Sequence, residues 1–165
     1  MEFTINAKKL LEKAGWFEGR NISKEELKLP YDDYPQFVID FLREYGNLSG
    51  ECEKQGYTPV INEFDLEPAM PQNKLMGDND YPVYSEMLGR KLFPLGGYYP
   101  DGYYICCDAD GRVYKMGEYC FHVGTNLYVG VENIILLNTL SSLQLDEDSG
   151  KWWNMDAEYS ELPAL

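Results

Sequence analysis

Gly89-Arg-Lys-Leu-Phe-Pro-Leu-Gly-Gly-Tyr-Tyr-Pro-Asp-Gly-Tyr-Tyr-Ile-Cys-Cys-Asp-Ala-Asp-Gly-Arg-Val-Tyr114 is the stretch on which the reading of this chain turns. Residues 91–95 have extended character. Gly96-Gly97 and Pro100-Asp101-Gly102 are turn signals, because glycine reaches backbone angles closed to other residues and proline presets a bend. Residues 103–108 make a strong strand pattern. Asp108-Ala-Asp-Gly111 predicts a hairpin turn, with residues 112–116 pairing back.

Upstream, residues 4–14 predict a helix with Ile5, Leu10, Leu11 and Ala14 near one face and Gly15 at its cap. Trp16 and Phe17 follow as packing anchors. Ser23-Lys-Glu-Glu26 is a capping-box pattern opening a short helix toward Leu27. Pro35 suits the first position of a clearer helix, whose stripe is Phe37, Val38, Phe41, Leu42 and Tyr45. Residues 57–62 predict a short strand, at an edge because Pro59 cannot donate to a ladder. Residues 63–78 read as an acidic connection, and Asn79 or Asp80 as the cap of a short helix over 81–88.

Downstream, residues 118–123 predict a strand, 124–126 a turn and 129–140 a last helix. Helices first and strands afterwards point to an α+β fold. A domain over 1–142 is expected, followed by a tail over 143–165. The tail holds an acidic linker, Asp146-Glu-Asp-Ser-Gly150, and the cluster Trp152-Trp153-Asn-Met155. That cluster is expected to pack back, since two free tryptophans would leave an unusual apolar patch.

Composition narrows the partners. The 165 residues suffice for one domain with a real core, at 44% hydrophobic and 25% charged. The formal net charge of −14 argues against nucleic acid and against an anionic membrane, where lysine and arginine supply the affinity. It allows a basic protein partner. Cys52, Cys106, Cys107 and Cys120 lack metal-ligand spacing and read as reduced thiols of a cytoplasmic protein. No signal sequence is visible, and the longest apolar run, residues 134–137, cannot span a bilayer.

No chemical motif survives its plainer explanation. Asp108-x-Asp110-Gly111 starts like a calcium loop, but the twelfth position is Tyr119. Asp101, Asp108 and Asp110 are better read as turn residues than as paired acids. His122, the sole histidine, sits among apolar neighbours and reads as structural rather than as partner to a cysteine nucleophile. The glycines match no phosphate loop. No catalytic residue, metal ligand or cofactor is therefore expected. Tyr98, Tyr99, Tyr103 and Tyr104 flank one tight turn, and alternation along a strand would expose about half of them. Aromatics beside acids suit a protein-binding patch, so Tyr98, Tyr99, Asp101 and Tyr103 are the candidate contacts.

Several short words occur together and in order. They are Leu10-Leu-Glu-Lys-Ala-Gly-Trp16-x-x-x-Arg20, then Tyr34-Pro-x-Phe37 with Phe41-Leu-x-x-Tyr-Gly46-Asn-Leu48, then Pro59 and Val60. Leu88-Gly-Arg-Lys-Leu-Phe-Pro-Leu-Gly96, Asp108-Ala-Asp-Gly-Arg-Val-Tyr114 and Val123-Gly124 follow. Over roughly residues 7–140 the chain resembles the third subgroup of the SUKH superfamily. The resemblance implies a single α+β domain with a central, mostly antiparallel sheet and helices around it. It further implies a bacterial, cytoplasmic immunity protein, not an enzyme. Such a protein binds a cognate secreted toxin domain, often a nuclease, and neutralises it. A general protein-interaction module without a toxin is the alternative, and the neighbouring gene would tell them apart. The resemblance assigns no contact residue.

Overall fold

A computed structural model describes residues 2–53, 62–69, 81–138, 140–154, 156 and 158–165. Among these the chain forms five helices and one nine-stranded antiparallel sheet whose strands lie in sequence order. The fold is α+β, as expected. The helices are α1 (Ile5–Lys13), α2 (Lys24–Leu27), α3 (Gln36–Tyr45), α4 (Tyr81–Leu88) and α5 (Leu127–Ile135). The strands are β1 (Ser49–Cys52), β2 (Asn62–Asp65), β3 (Leu92–Tyr99), β4 (Tyr103–Asp108), β5 (Val113–Met116), β6 (Cys120–Gly124), β7 (Leu143–Asp146), β8 (Lys151–Trp153) and β9 (Tyr159–Ser160).

Local chemistry sets the helix ends. The Thr4 hydroxyl accepts the Ala7 amide at the start of α1. The capping box at Ser23 and Glu26 is complete, each side chain accepting the other's amide. Pro35 stands one position before α3 rather than inside it. Asn126 caps α5, which ends at Ile135, short of the expected residue 140. Leu137 just beyond takes a left-handed φ of 52°, and Leu140 is 85% exposed. Ile5 and Phe17 are likewise exposed rather than packed.

Other elements differ from the sequence expectations for identifiable reasons. Gly96-Gly97 is not a turn; it lies inside β3, where the register shifts between Pro94 and Gly96. A Cβ on Gly96 would stand 1.7 Å from the Asp65 carbonyl oxygen, so the glycine permits a close strand approach. β2 begins at Asn62, the last residue of the expected strand, and runs on through residues 63–65, where a connection was expected. Residues 57–61, with Pro59, and the caps Asn79 and Asp80 lie outside the described residues. β1 carries only one buried residue, Cys52, and gives no apolar alternation to read. Residues 143–160 add β7, β8 and β9 to the same sheet, with residues 147–150 as the β7–β8 turn.

Two cores sandwich the sheet. On one face α1, α3 and α5 pack over Phe64, Phe93, Leu95, Ile105, Cys107, Val113 and Val123. α5 sits so close that a Cβ on Gly130 would lie 2.2 Å from Val113 Cβ. On the other face α4 covers Tyr104, Cys106, Tyr114, Met116 and Cys120, joined by Leu143, Leu145 and Trp152. Cys106 and Cys107 thus enter opposite cores, as alternation requires. Of the cluster expected to pack back, Trp152 is buried, Trp153 is half-buried and borders an open groove, and Met155 lies outside the described residues.

The short sequence words meet in space. Arg20 donates to the carbonyl oxygens of Glu44 and Gly46, each at 2.8 Å. The Tyr34 hydroxyl donates to the Pro94 carbonyl at 2.7 Å inside the core. Arg90 donates to Asp108 at 2.9 Å. The words that hold Arg20, Tyr34, Arg90 and Asp108 are thus fastened to one another by hydrogen bonds, while Pro59 and Val60 lie outside the described residues.

Candidate functional site

Asp108 shows what the aspartates of the central block do. It is 1% exposed. Its carboxylate accepts from the amides of Asp110 and Arg112, the Tyr114 hydroxyl and the Arg90 guanidinium. A buried charge needs such partners to offset its lost hydration. The set closes the β4–β5 turn and leaves no oxygen directed at an open coordination site. Among the described residues no group of three or more His, Cys, Asp or Glu side chains is placed to hold a metal.

The thiols and the histidine are equally enclosed. All four cysteines are free and buried. Burial pushes the Cys52 thiol up to about 12 and also raises those of Cys107 and Cys120, so these sulfurs are poor nucleophiles. His122 is 1% exposed, between the rings of Tyr114 and Trp152. Neither ring nitrogen makes a well-formed hydrogen bond, although the Gly124 backbone lies near enough to favour the charged form slightly. Burial, aided by the Arg112 charge, pushes its pKa down to about 4.

The tyrosine-rich turn is more closed than alternation predicted. Tyr98 and Tyr103 face each other across the β3–β4 hairpin and are 5% and 9% exposed. Tyr104 is buried on the other face against Tyr81, with ring centroids 5.2 Å apart. Only Tyr99 is half-buried, and Asp101 is exposed at the turn. The reason is that both faces of this part of the sheet are covered, so alternation moves a ring from one core to the other. Burial pushes the hydroxyls of Tyr98 and Tyr99 up to about 12. Lys115 stretches beneath the turn, its ammonium 4.6 Å from the Tyr98 ring centre, 5.0 Å from Tyr103 and 5.2 Å from Phe121. Its pKa is lowered by burial, with the Asp101 charge acting the other way.

This turn shares one end of the sheet with the β5–β6 turn and the β7–β8 turn, because alternate hairpins of an antiparallel meander project the same way. Each carries acids: Asp101 on the first, Glu118 on the second, Glu147 and Asp148 on the third. The Tyr84 hydroxyl ties two of them together, hydrogen-bonded to the Gly117 carbonyl at 3.0 Å and to Glu147 at 2.8 Å. Below lies an open groove of about 680 Å³, bordered by Glu118, Tyr119, Phe121, Gln144, Asp146 and Trp153.

The groove lies at the β6–β9 end of the face that α1, α3 and α5 cover elsewhere. Phe121 pairs with Gln144, Gln144 with Trp153, and Trp153 with Tyr159, so these four side chains form one row across four strands. Two aromatic pairs frame it: Tyr119 with Phe121 at 6.4 Å, and Trp153 with Tyr159 at 4.7 Å between centroids. Asp146 anchors the second pair, accepting from Ser149 at 2.6 Å and Tyr159 at 3.0 Å. Its pKa is held at about 2, chiefly by the Ser149 hydrogen bond and also by Tyr159 and Trp153. Sequence reading brought forward the β3–β4 turn and missed this row. The usable signal was the pair Trp152-Trp153, of which strand alternation must turn one outward.

A family model described as SUKH-3 immunity protein matches residues 3–141. The match runs from α1 through α5 and stops before β7. No curated protein and no solved structure matches the chain. The hydrogen-bonded words and the family match fall on the same residues, and the chain belongs to the SUKH-3 immunity protein family.

Proposed function

We propose that this protein is a bacterial, cytoplasmic immunity protein that binds a cognate toxin domain stoichiometrically and so neutralises it. The observation that carries this reading is the family match over residues 3–141. The net charge of −14 supports a basic partner, such as a nuclease that must itself grip phosphates. Binding requires only a complementary surface, and the acid-bearing turns at one end of the sheet supply one. No helix among the described residues is long and apolar enough to cross a membrane.

For the contacts we put forward Tyr99 and Asp101 at the rim, with Tyr98 and Tyr103 supporting them from below. Co-expression with a toxin domain encoded beside this gene tests the reading. Cells are expected to survive when both proteins are made. Equal killing with and without this chain overturns it. Replacing Tyr99→Ala together with Asp101→Lys is expected to weaken the complex by roughly 2–4 kcal/mol if the turn is central. An unchanged Kd in a calorimetric titration removes the turn from the interface.

A further inference from the structure

We propose that the open face of β7–β9 and the groove beside β6 form a docking surface for a basic, arginine- or lysine-bearing segment of a partner protein. This rests on the reading that the chain works by binding another protein.

The first argument is the row itself. The same cross-strand row begins at Ile105, passes through Lys115 and Phe121, and ends at Gln144, Trp153 and Tyr159. Ile105 is fully buried under the helices. No residue of β7, β8 or β9 joins the core that α1, α3 and α5 build on that face, and Tyr159 is 52% exposed. An aromatic row left open at the end of a packed sheet is interface material, since tyrosine and tryptophan offer large area at small entropic cost.

Charge complementarity names the occupant. Glu118, Asp146, Glu147 and Asp148 border the groove, and no lysine or arginine does. Among the described residues none of these four carboxylates forms an ion pair, whereas Asp33, Asp108 and Asp110 all do. The rings also show which charge they accept. Lys151 holds its ammonium 4.8 Å over Tyr159 at one end of the row, and Lys115 lies 5.2 Å from Phe121 at the other. Trp153, between them, has no such cation among the described residues. A guanidinium laid on that indole would have unpaired carboxylates beside it. An acidic or purely apolar segment would leave these charges buried and unpaired.

Position adds a further reason. The family match ends at residue 141, and the three strands that open the groove lie past it. Most of the surface therefore lies outside the segment that the family model matches, with Glu118, Tyr119 and Phe121 inside it.

The test is a titration of the full ¹⁵N-labelled chain with a hexa-arginine peptide at about 0.15 M salt, where charges more than about 8 Å apart are largely screened. Shift changes are expected to cluster at Phe121, Gln144, Trp153 and Tyr159. The double variant E118K/D148K is expected to bind the peptide about tenfold more weakly, while E12K/E25K, with the same change in net charge, binds as before. Shift changes spread over all acidic surfaces, or equal weakening by both double variants, overturn the proposal. Co-expression with the toxin separates it from the immunity reading. If the unaltered chain fails to protect cells but the peptide still maps to the groove, the immunity reading falls and the docking surface stands. If the unaltered chain protects and E118K/D148K protects equally well, the docking surface falls and the immunity reading stands.

Discussion

Ile105 and Trp153 stand in the same cross-strand row of the same sheet face, yet one is fully buried and the other borders an open groove. The strands are alike in pairing and direction. What differs is the layer above them. Over β3–β6 that layer is α1, α3 and α5, drawn so close that Gly130 allows α5 to touch Val113. β7–β9 contribute no residue to the core beneath that layer. The closed half uses its side chains for stability. The open half holds aromatic rings in place by hydrogen bonds to Asp146, while Lys151 lies over the Tyr159 ring and Trp153 borders the groove. A binding protein needs both: a core that fixes the frame, and an ordered surface whose carboxylates have no ion-pair partner among the described residues.

The adjacent tryptophans test this division most directly. Trp152 is 7% exposed and packs on Tyr114 and His122, at 6.1 and 6.2 Å between centroids. Trp152→Ala is expected to cost roughly 3–5 kcal/mol, the lost transfer energy of the ring plus the cavity left behind. Urea unfolding followed by far-ultraviolet circular dichroism measures it. A loss below about 1 kcal/mol would mean that β8 is not anchored to the closed half, and the contrast would collapse.

His122 probes the same junction through pH. The unfolded imidazole takes up a proton near 6.5, while the folded one resists until about 4. Between those values the unfolded state binds more protons, so stability falls as the solution is acidified through that window. The loss is about 3 kcal/mol for the whole shift, at 1.36 kcal/mol per unit. Urea midpoints at pH 7 and pH 4.5 are expected to differ more in the parent chain than in His122→Leu. Identical pH dependence of the two proteins would show that the imidazole is not enclosed by Trp152.

The closed half was largely legible in the sequence. The capping box, the α3 stripe (apart from Phe37, which is exposed, and Ile39, which is buried but was not read) and the Asp108 turn each rest on local chemistry that a linear pattern records. Gly96-Gly97 misled because glycine serves both turns and close strand approach, and only the neighbour at Asp65 decides between them. The four tyrosines misled because alternation says which face a ring takes, not whether that face is covered. The open half was the hardest to read. β7, β8 and β9 have only four, three and two residues, too few for a period to emerge. Gln144 gives no signal alone. It gains meaning from the register that sets it between Phe121 and Trp153.

The smallest expected effect is the most telling one. Trp153→Ala removes a ring as large as that of Trp152, one residue along the same strand. Its expected cost in stability is only about 1 kcal/mol, because the indole packs chiefly on Tyr159 at 4.7 Å and fills no core. Binding should respond in the opposite order. The hexa-arginine peptide is expected to lose about tenfold in affinity for Trp153→Ala, as expected when a central interface aromatic is truncated. Chemical denaturation of the variant and the same peptide titration give both numbers. A stability loss comparable to that of Trp152→Ala would place Trp153 in a core and close the groove. Unchanged peptide affinity would leave the ring as surface filling. Only the combination of small stability loss and large affinity loss separates a side chain kept for contact from one kept for folding.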